Sequence, residues 1–222
     1  MQKVLLNEVV DYLHKAYPDA SIGVGGSVAS GTYTADSDVD ILFQREGFQK
    51  DFLMSFFCKG IKVSIFGISK NGLLQRERNI LLNYRNMPIS FISSVAVIYD
   101  DKELIVDLKS FVRDMVERRK ILRYILIDEL KVNIRNQLQL APTSYLETKK
   151  RVYAIIDKMI SLFYLKFHAG RIVQKQEGRN PYTVIKNDDY MLYEKLKESL
   201  PYCSETYYQV KCIFENYIQY MY

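Results

Sequence analysis

The sequence predicts an α/β (α+β) protein: a mixed-sheet domain over residues 1–103, followed by an all-helical domain over residues 104–222. Three observations predict it. Through the first half of the chain, short apolar runs bounded by turn residues alternate with amphipathic helical patterns. From about residue 104 onward the apolar spacing is helical alone. Between two of the early apolar runs lies Gly26-Ser27-Val28-Ala29-Ser30-Gly31-Thr32-Tyr33-Thr34-Ala35-Asp36-Ser37-Asp38-Val39-Asp40, whose polar groups are spaced for chemistry more than for packing.

Residues 3–16 carry Leu5, Val9, Tyr12, Leu13 and Ala16 on one helical face, and Pro18 ends that helix. Ala20 to Gly25 reads as a first strand leading into Gly26-Ser27, and Asp38 to Phe43 as a second. Phe48, Phe52, Phe56 and Phe57 recur at helical spacing, so residues 48–58 are expected to form a helix covering the sheet. A strand over Gly60 to Phe66, a turn at Ser69-Lys70-Asn71-Gly72, a helix over 73–84 and a strand over 92–99 complete the unit.

Beyond it, Leu108, Phe111, Val112, Met115 and Val116 keep helical spacing, and Leu122, Leu126, Leu130 and Leu138 continue it. Ala141-Pro142-Thr143 interrupts the pattern. Ser144 and Glu147 then form a capping box for a helix running to Gly170. Gly178 to Pro181 marks a loop, and helices are expected over 188–200 and 204–221. The junction near residue 104 lacks a flexible linker composition, so the halves are expected to pack closely with a cleft between them.

A glycine-serine turn presents backbone N–H groups and a hydroxyl to a phosphate. Asp38 and Asp40, at i and i+2 on a strand, project from one face about 7 Å apart and can share a hard cation such as Mg²⁺. Asp36 and Ser37 adjoin the pair, either supporting it or lying in a solvated loop.

Gly26, Ser27, the ten residues after it, Asp38 and Asp40 resemble the signature of the DNA polymerase beta-type nucleotidyltransferases, particularly small bacterial and antibiotic-modifying ones. The resemblance covers roughly the first half of the chain, and the Val-Ile-Tyr-Asp ending at 97–100 fits the family's last strand. It implies transfer of a nucleoside monophosphate from a Mg²⁺- or Mn²⁺-bound NTP to an acceptor hydroxyl. Gly26 and Ser27 would hold the β- and γ-phosphates, and Asp38 and Asp40 would be the catalytic metal ligands. The family places a third carboxylate mid-strand after the next helix, where this chain has Ser64. A serine hydroxyl is a poor base near neutral pH, and losing a general base typically costs about 10²–10⁴-fold in rate. The alternative is therefore a catalytically impaired nucleotide-binding or regulatory protein of the same fold. Lysines of the helical domain reach the triphosphate in aminoglycoside nucleotidyltransferases, which makes Lys149 and Lys150 the nucleotide-binding candidates here. The appended helical domain favours a small-molecule acceptor over RNA or a protein side chain.

Other chemistries fit less well. Val28 stands where a dinucleotide-binding Gly-x-Gly-x-x-Gly needs its third glycine, and no Gly-x₄-Gly-Lys-Ser/Thr occurs. His14 and His168 are the only histidines, with no His-x-x-x-His or Cys-His cluster to suggest zinc. His14 is expected to be structural, and His168 to sit at a helix end. Cys58, Cys203 and Cys212 lack Cys-x-x-Cys spacing, as in a reduced cytoplasmic protein. No apolar run approaches the roughly 20 residues of a membrane span, and the N-terminus lacks a signal-peptide pattern. The charge of +5 suits a protein handling anionic nucleotides without demanding nucleic acid. Of the 18 tyrosines, Tyr202, Tyr207, Tyr208, Tyr217, Tyr220 and Tyr222 crowd the C-terminal end, where their rings are expected to pack with hydroxyls in water.

Overall fold

Strands β1 (Ser21–Gly25), β2 (Val39–Gln44), β3 (Phe52–Cys58), β4 (Ile61–Gly67) and β5 (Ala96–Tyr99) form one sheet in the order β3-β4-β2-β1-β5. The computed structural model describes residues 1–140 and 144–221; the expected break at Ala141-Pro142-Thr143 and the ring of Tyr222 lie outside them. The sheet is mixed: β2 runs parallel to β4, and the β1–β2, β1–β5 and β3–β4 pairs are antiparallel. Two compact units result, Met1–Arg78 with Met87–Met115, and Asn79–Asn86 with Val116–Tyr222.

In the first unit, strand alternation divides the sheet into an apolar face and a chemically mixed one. Ile22 and Val24 of β1, Val39, Ile41 and Phe43 of β2, and Ile61, Val63 and Ile65 of β4 join one core cluster. Helix α1 (Gln2–Ala16) covers that face with Leu5, Leu6, Val10 and Leu13, all buried. Each such side chain contributes roughly 1.5–3 kcal/mol relative to exposure. Val28 of the short α2 (Gly26–Ser30) enters the same cluster and fixes the turn after β1.

The expected helix over 48–58 is instead β3. The phenylalanine spacing fits a helix, but Lys59 and Gly60 both take positive φ, 51° and 77°. That is the two-residue turn whose twist matches a β-hairpin. It sets β3 on β4 in continuous register from Cys58↔Ile61 to Phe52↔Gly67. The hairpin turn outweighs the local periodicity.

The remaining elements of the unit depart from expectation mainly at their ends. The 73–84 helix is two short ones, α3 (Lys70–Gln75), whose N-cap Ser69 accepts from Gly72 N–H at 3.3 Å, and α4 (Glu77–Leu82). The strand expected over 92–99 begins only at Ala96, because α5 (Met87–Ser94) takes up its first residues. There Pro88 occupies the first helical turn, where a missing N–H costs nothing. Ser93 and Ser94 return their hydroxyls to the Ser90 and Phe91 carbonyls, each at 2.9 Å. After β5, the Asp100 carboxylate accepts from the N–H groups of Ile105 and Val106 and so caps α6 (Leu104–Ile121). His14 stacks on Tyr99, ring centroids 3.9 Å apart, which makes it a structural residue of this unit.

The second unit is helical among the described residues. Helix α7 (Arg123–Gln139) buries Leu126, Leu130, Ile134 and Leu138 against Val152, Ile155, Met159 and Phe163 of α8 (Tyr145–His168). Ser144 caps α8 by accepting from Glu147 N–H at 3.3 Å. Short helices follow: α9 (Lys175–Arg179), α10 (Tyr182–Asp188), α11 (Tyr190–Glu198) and α12 (Tyr207–Ile213). The last continues through a π-helical turn at Phe214–Ile218. Asp189 separates α10 from α11 by accepting from Leu192 N–H at 2.9 Å, so the helix expected over 188–200 starts two residues late. His168 lies at the end of α8 with Nε2 2.8 Å from Asp188 Oδ2. The buried and part-buried C-terminal tyrosines direct their hydroxyls to protein acceptors. Tyr202 donates to the Leu196 carbonyl, Tyr207 to the Leu138 carbonyl and Tyr217 to Asp189, while Tyr208 and Tyr220 are exposed.

Candidate active site

The side chains of β2 alternate, so Val39 and Ile41 enter the core while Asp38, just before the strand, and Asp40 share the opposite face. Asp40 sits in a cross-strand row. Its Cα partners are Gly25 on β1 and Ser64 on β4, and Ser64 in turn faces Ser55 on β3. The row thus runs from a glycine turn through a carboxylate to two hydroxyls.

The glycines at its first end are required by space. Gly26 has φ +63°, and a Cβ there would stand 2.7 Å from Asp40 Oδ2. At Gly25 a Cβ would fall 2.2 Å from a ring carbon of Phe91. Phe91, on α5, also lies against Phe66 of β4 with ring centroids 4.8 Å apart. Helix α5 therefore closes one side of this face through one aromatic ring, a contact the sequence does not advertise. Ser27, the first residue past the turn, is half-exposed on α2.

The loop that delivers Asp38 is held from α1. Gln2, buried, donates through Nε2 to the carbonyls of Thr34 and Ala35 at 2.8 and 2.7 Å. Ser37 closes the loop by accepting from Thr34 N–H at 2.9 Å, and its own N–H donates to Thr34 O at 3.1 Å. Ser37 thus supports the pair through the backbone, whereas Asp36 is exposed. Nothing in the sequence around Gln2 marks it, since its partners are carbonyls more than 30 residues away.

On the other side of the pair stands β4. Ser64 is buried, and its hydroxyl shares a 3.1 Å hydrogen bond with that of Ser55. Lys62, two residues earlier on the same face, brings Nζ to 3.8 Å from Asp38 Oδ2, with both side chains part-exposed. Among the described residues no cluster of three or more His, Cys, Asp or Glu side chains could hold a metal. Gly26 adjoins Asp40, with Ser27 next to it in the chain and Asp38 on the same strand face, all in the first unit. Lys149 and Lys150 lie on the first turns of α8 in the second unit, the former half-buried and the latter exposed.

The sequence profile of the nucleotidyltransferase domain matches residues 6–162, most of the chain. The chain belongs to the nucleotidyltransferase domain family. Among solved structures it is similar to a nucleotidyltransferase-like protein from Exiguobacterium sibiricum, with a TM-score of 0.50 and 16% identity over 96% of this chain and 73% of that one. At that identity the likeness speaks for the fold. No curated protein matches the chain. Among the described residues, no helix of this nucleotidyltransferase-domain protein is long and apolar enough to cross a membrane.

Proposed function

We propose that this protein transfers a nucleoside monophosphate from an NTP to a hydroxyl of a small-molecule acceptor. The observation that carries the reading is the row at Asp40. A carboxylate pair, Asp38 and Asp40, leaves the core face of β2, and the turn at Gly26 lies so close to it that a Cβ there would stand 2.7 Å from Asp40 Oδ2.

The two aspartates fit one Mg²⁺ or Mn²⁺, because such ions are commonly held by one or two carboxylates and complete their shells with water and substrate phosphates. A cation bound there would neutralise triphosphate charge and favour in-line attack at the α-phosphorus. The chain's own part is positional. Gly26 and Ser27 would hold the β- and γ-phosphates through backbone N–H groups and the Ser27 hydroxyl, and the Gln2-anchored loop would fix Asp38.

A specific observation favours a second reading, an impaired nucleotide-binding protein. Ser64 occupies the position paired with Asp40, and its hydroxyl is turned to Ser55. The acceptor proton then has no carboxylate there to receive it.

One experiment separates the readings. The protein is titrated with ATP, GTP, CTP and UTP at millimolar Mg²⁺ in a calorimeter, and then assayed for label transfer from α-labelled NTPs to aminoglycosides, lincosamides and short RNAs. Binding with transfer to a small molecule supports the enzyme reading, and binding without transfer supports the impaired one. Transfer to RNA alone overturns the choice of acceptor. Absence of NTP binding overturns both.

A further inference from the structure

Lys62 pairs with the carboxylate face by strand register as well as by distance. β2 and β4 run parallel with Val39 opposite Val63 and Asp40 opposite Ser64. Lys62 therefore falls beside Asp38 by construction, and its ammonium lies 3.8 Å from Asp38 Oδ2. It approaches from the β4 side, whereas the Gly26 turn meets Asp40 from the β1 side. The aspartate pair is thus flanked by a glycine turn on one hand and an ammonium on the other.

Resting on the reading of Asp38 and Asp40 as metal ligands, we propose that Lys62 is a positioning residue that makes the site selective for a metal–nucleotide complex over the free metal ion. The argument is one of charge. Asp38, Asp40 and Lys62 together carry one net negative charge, against two without the lysine. A free divalent cation meets an ammonium within contact distance of one of its two ligands, and the repulsion weakens its binding. A metal–NTP complex is itself anionic, so the same ammonium lowers the repulsion it feels and can pass from Asp38 to a phosphate oxygen. Lys62 then opposes the metal alone and favours the metal with its nucleotide. A structural ion pair has no reason to act with opposite signs on these two ligands.

The test is a pair of titrations on wild type, Lys62→Met and Lys62→Arg. Free Mn²⁺ binding is read from the loss of its free-ion paramagnetic resonance signal. Binding of Mn²⁺ with the non-hydrolysable analogue α,β-methylene-ATP is read by calorimetry. Lys62→Met should tighten free Mn²⁺ roughly five- to thirtyfold, the range expected for removing one part-exposed charge at contact distance. It should weaken Mn²⁺–analogue binding by a similar factor, while Lys62→Arg stays near wild type in both. Because Lys62 is part-exposed, Lys62→Met is expected to fold, and circular dichroism checks this; should it not, Lys62→Gln serves in its place. If Lys62→Met moves both affinities in one direction, or neither, the proposal is overturned, even where Asp40→Asn abolishes binding and so upholds the metal site. If no variant and not the wild type binds Mn²⁺ with the analogue, the donor-site reading falls and the proposal with it.

Discussion

Gly26 and Asp40 meet so closely that a single added carbon would not fit between them: a Cβ at Gly26 would lie 2.7 Å from Asp40 Oδ2. The contact ties the turn after β1 to the carboxylate on β2 through strands already locked in register, Gly25 opposite Asp40. Two demands coincide at this glycine. Its φ of +63° disfavours any L side chain, and its missing Cβ clears the carboxylate.

Gly26→Ala should therefore be costly in two ways. The left-handed backbone costs about 1–2 kcal/mol for alanine, and relieving the overlap moves the Asp40 carboxylate. The melting temperature should fall by several degrees, about 2–4 °C per kcal/mol for a chain of this size. If the proposed site is correct, metal-dependent NTP binding should fall more than stability does. Thermal denaturation and calorimetry on the same preparation check the two effects, and a variant that loses stability but binds NTP normally would detach this turn from the site.

Ser64→Asp should give a metal-dependent change in stability. Ser64 is buried and faces Asp40 across β2 and β4. A carboxylate there is taken from water and set beside a like charge, and it loses the serine's hydrogen-bonded geometry with Ser55. Without metal the variant should melt below wild type. With millimolar Mn²⁺ it should regain more stability than wild type does, since a third anionic oxygen joins the proposed ligands and binding to the folded state stabilises it by mass action. Melting curves with Mn²⁺ and with chelator decide it. Equal Mn²⁺ responses in both proteins would mean that position 64 does not look onto a metal.

Gln2→Ala should loosen the loop before Asp38 with little effect on the sheet. Gln2 supplies two hydrogen bonds, to Thr34 O and Ala35 O. Their loss leaves two carbonyls without this buried donor, at about 1–3 kcal/mol. Amide hydrogen exchange should quicken across residues 31–38 and stay unchanged in β4, because local opening follows local contacts. Unchanged exchange in the loop would mean that Ser37 and Thr34 hold it alone.

How far the sequence revealed this arrangement varies with the range of the interaction responsible. Gly26, Ser27, Asp38 and Asp40 were legible because their spacing is local: a strand end, a turn and an i, i+2 pair that strand geometry must put on one face. The helices around α7 and α8 were legible from apolar periodicity, which burial preserves; α1 was legible as a helix, but its buried face is Leu5, Leu6, Val10 and Leu13, and Tyr12 and Ala16 of the expected face are exposed. β3 was misread because Phe48, Phe52 and Phe56 mimic a helical stripe. The deciding signal was the two-residue Lys59-Gly60 turn, and its pairing with β4 is tertiary. Strand alternation puts Lys62 on the face of Ser64, but its approach to Asp38 needs the parallel β2–β4 register, which no local pattern specifies. Gln2 and Phe91 act across still longer separations and left no mark in the sequence.

The helical unit carries a prediction independent of nucleotide chemistry. Arg119, on α6, is buried, and its Nε donates to Ala169 O at 2.8 Å while Nη2 donates to Arg171 O. Those carbonyls belong to the chain just past α8, so one guanidinium secures the exit of the longest described helix. Burial, with a smaller contribution from Arg171, lowers the Arg119 guanidinium to about 10, still charged at neutral pH. Arg119→Met keeps the length of the aliphatic stem and removes every donor. Two carbonyls then lose charge-assisted hydrogen bonds, which should cost about 2–4 kcal/mol. Part of the desolvation penalty of the guanidinium is recovered, so the loss should stay below the sum of two such bonds. The sign of the pH dependence follows from the lowered pKa. Above about pH 9 the folded wild type begins to release the Arg119 proton more readily than the unfolded chain, whose arginine stays charged. Wild-type stability therefore rises relative to a group of unshifted pKa as pH climbs through about 10; equivalently, the desolvation handicap of Arg119 is greatest at lower pH. The gap between wild type and Arg119→Met should accordingly widen or hold steady from pH 7 to 10. Urea denaturation at both pH values measures it, and a gap that closes at pH 10 would overturn the lowered pKa of buried Arg119.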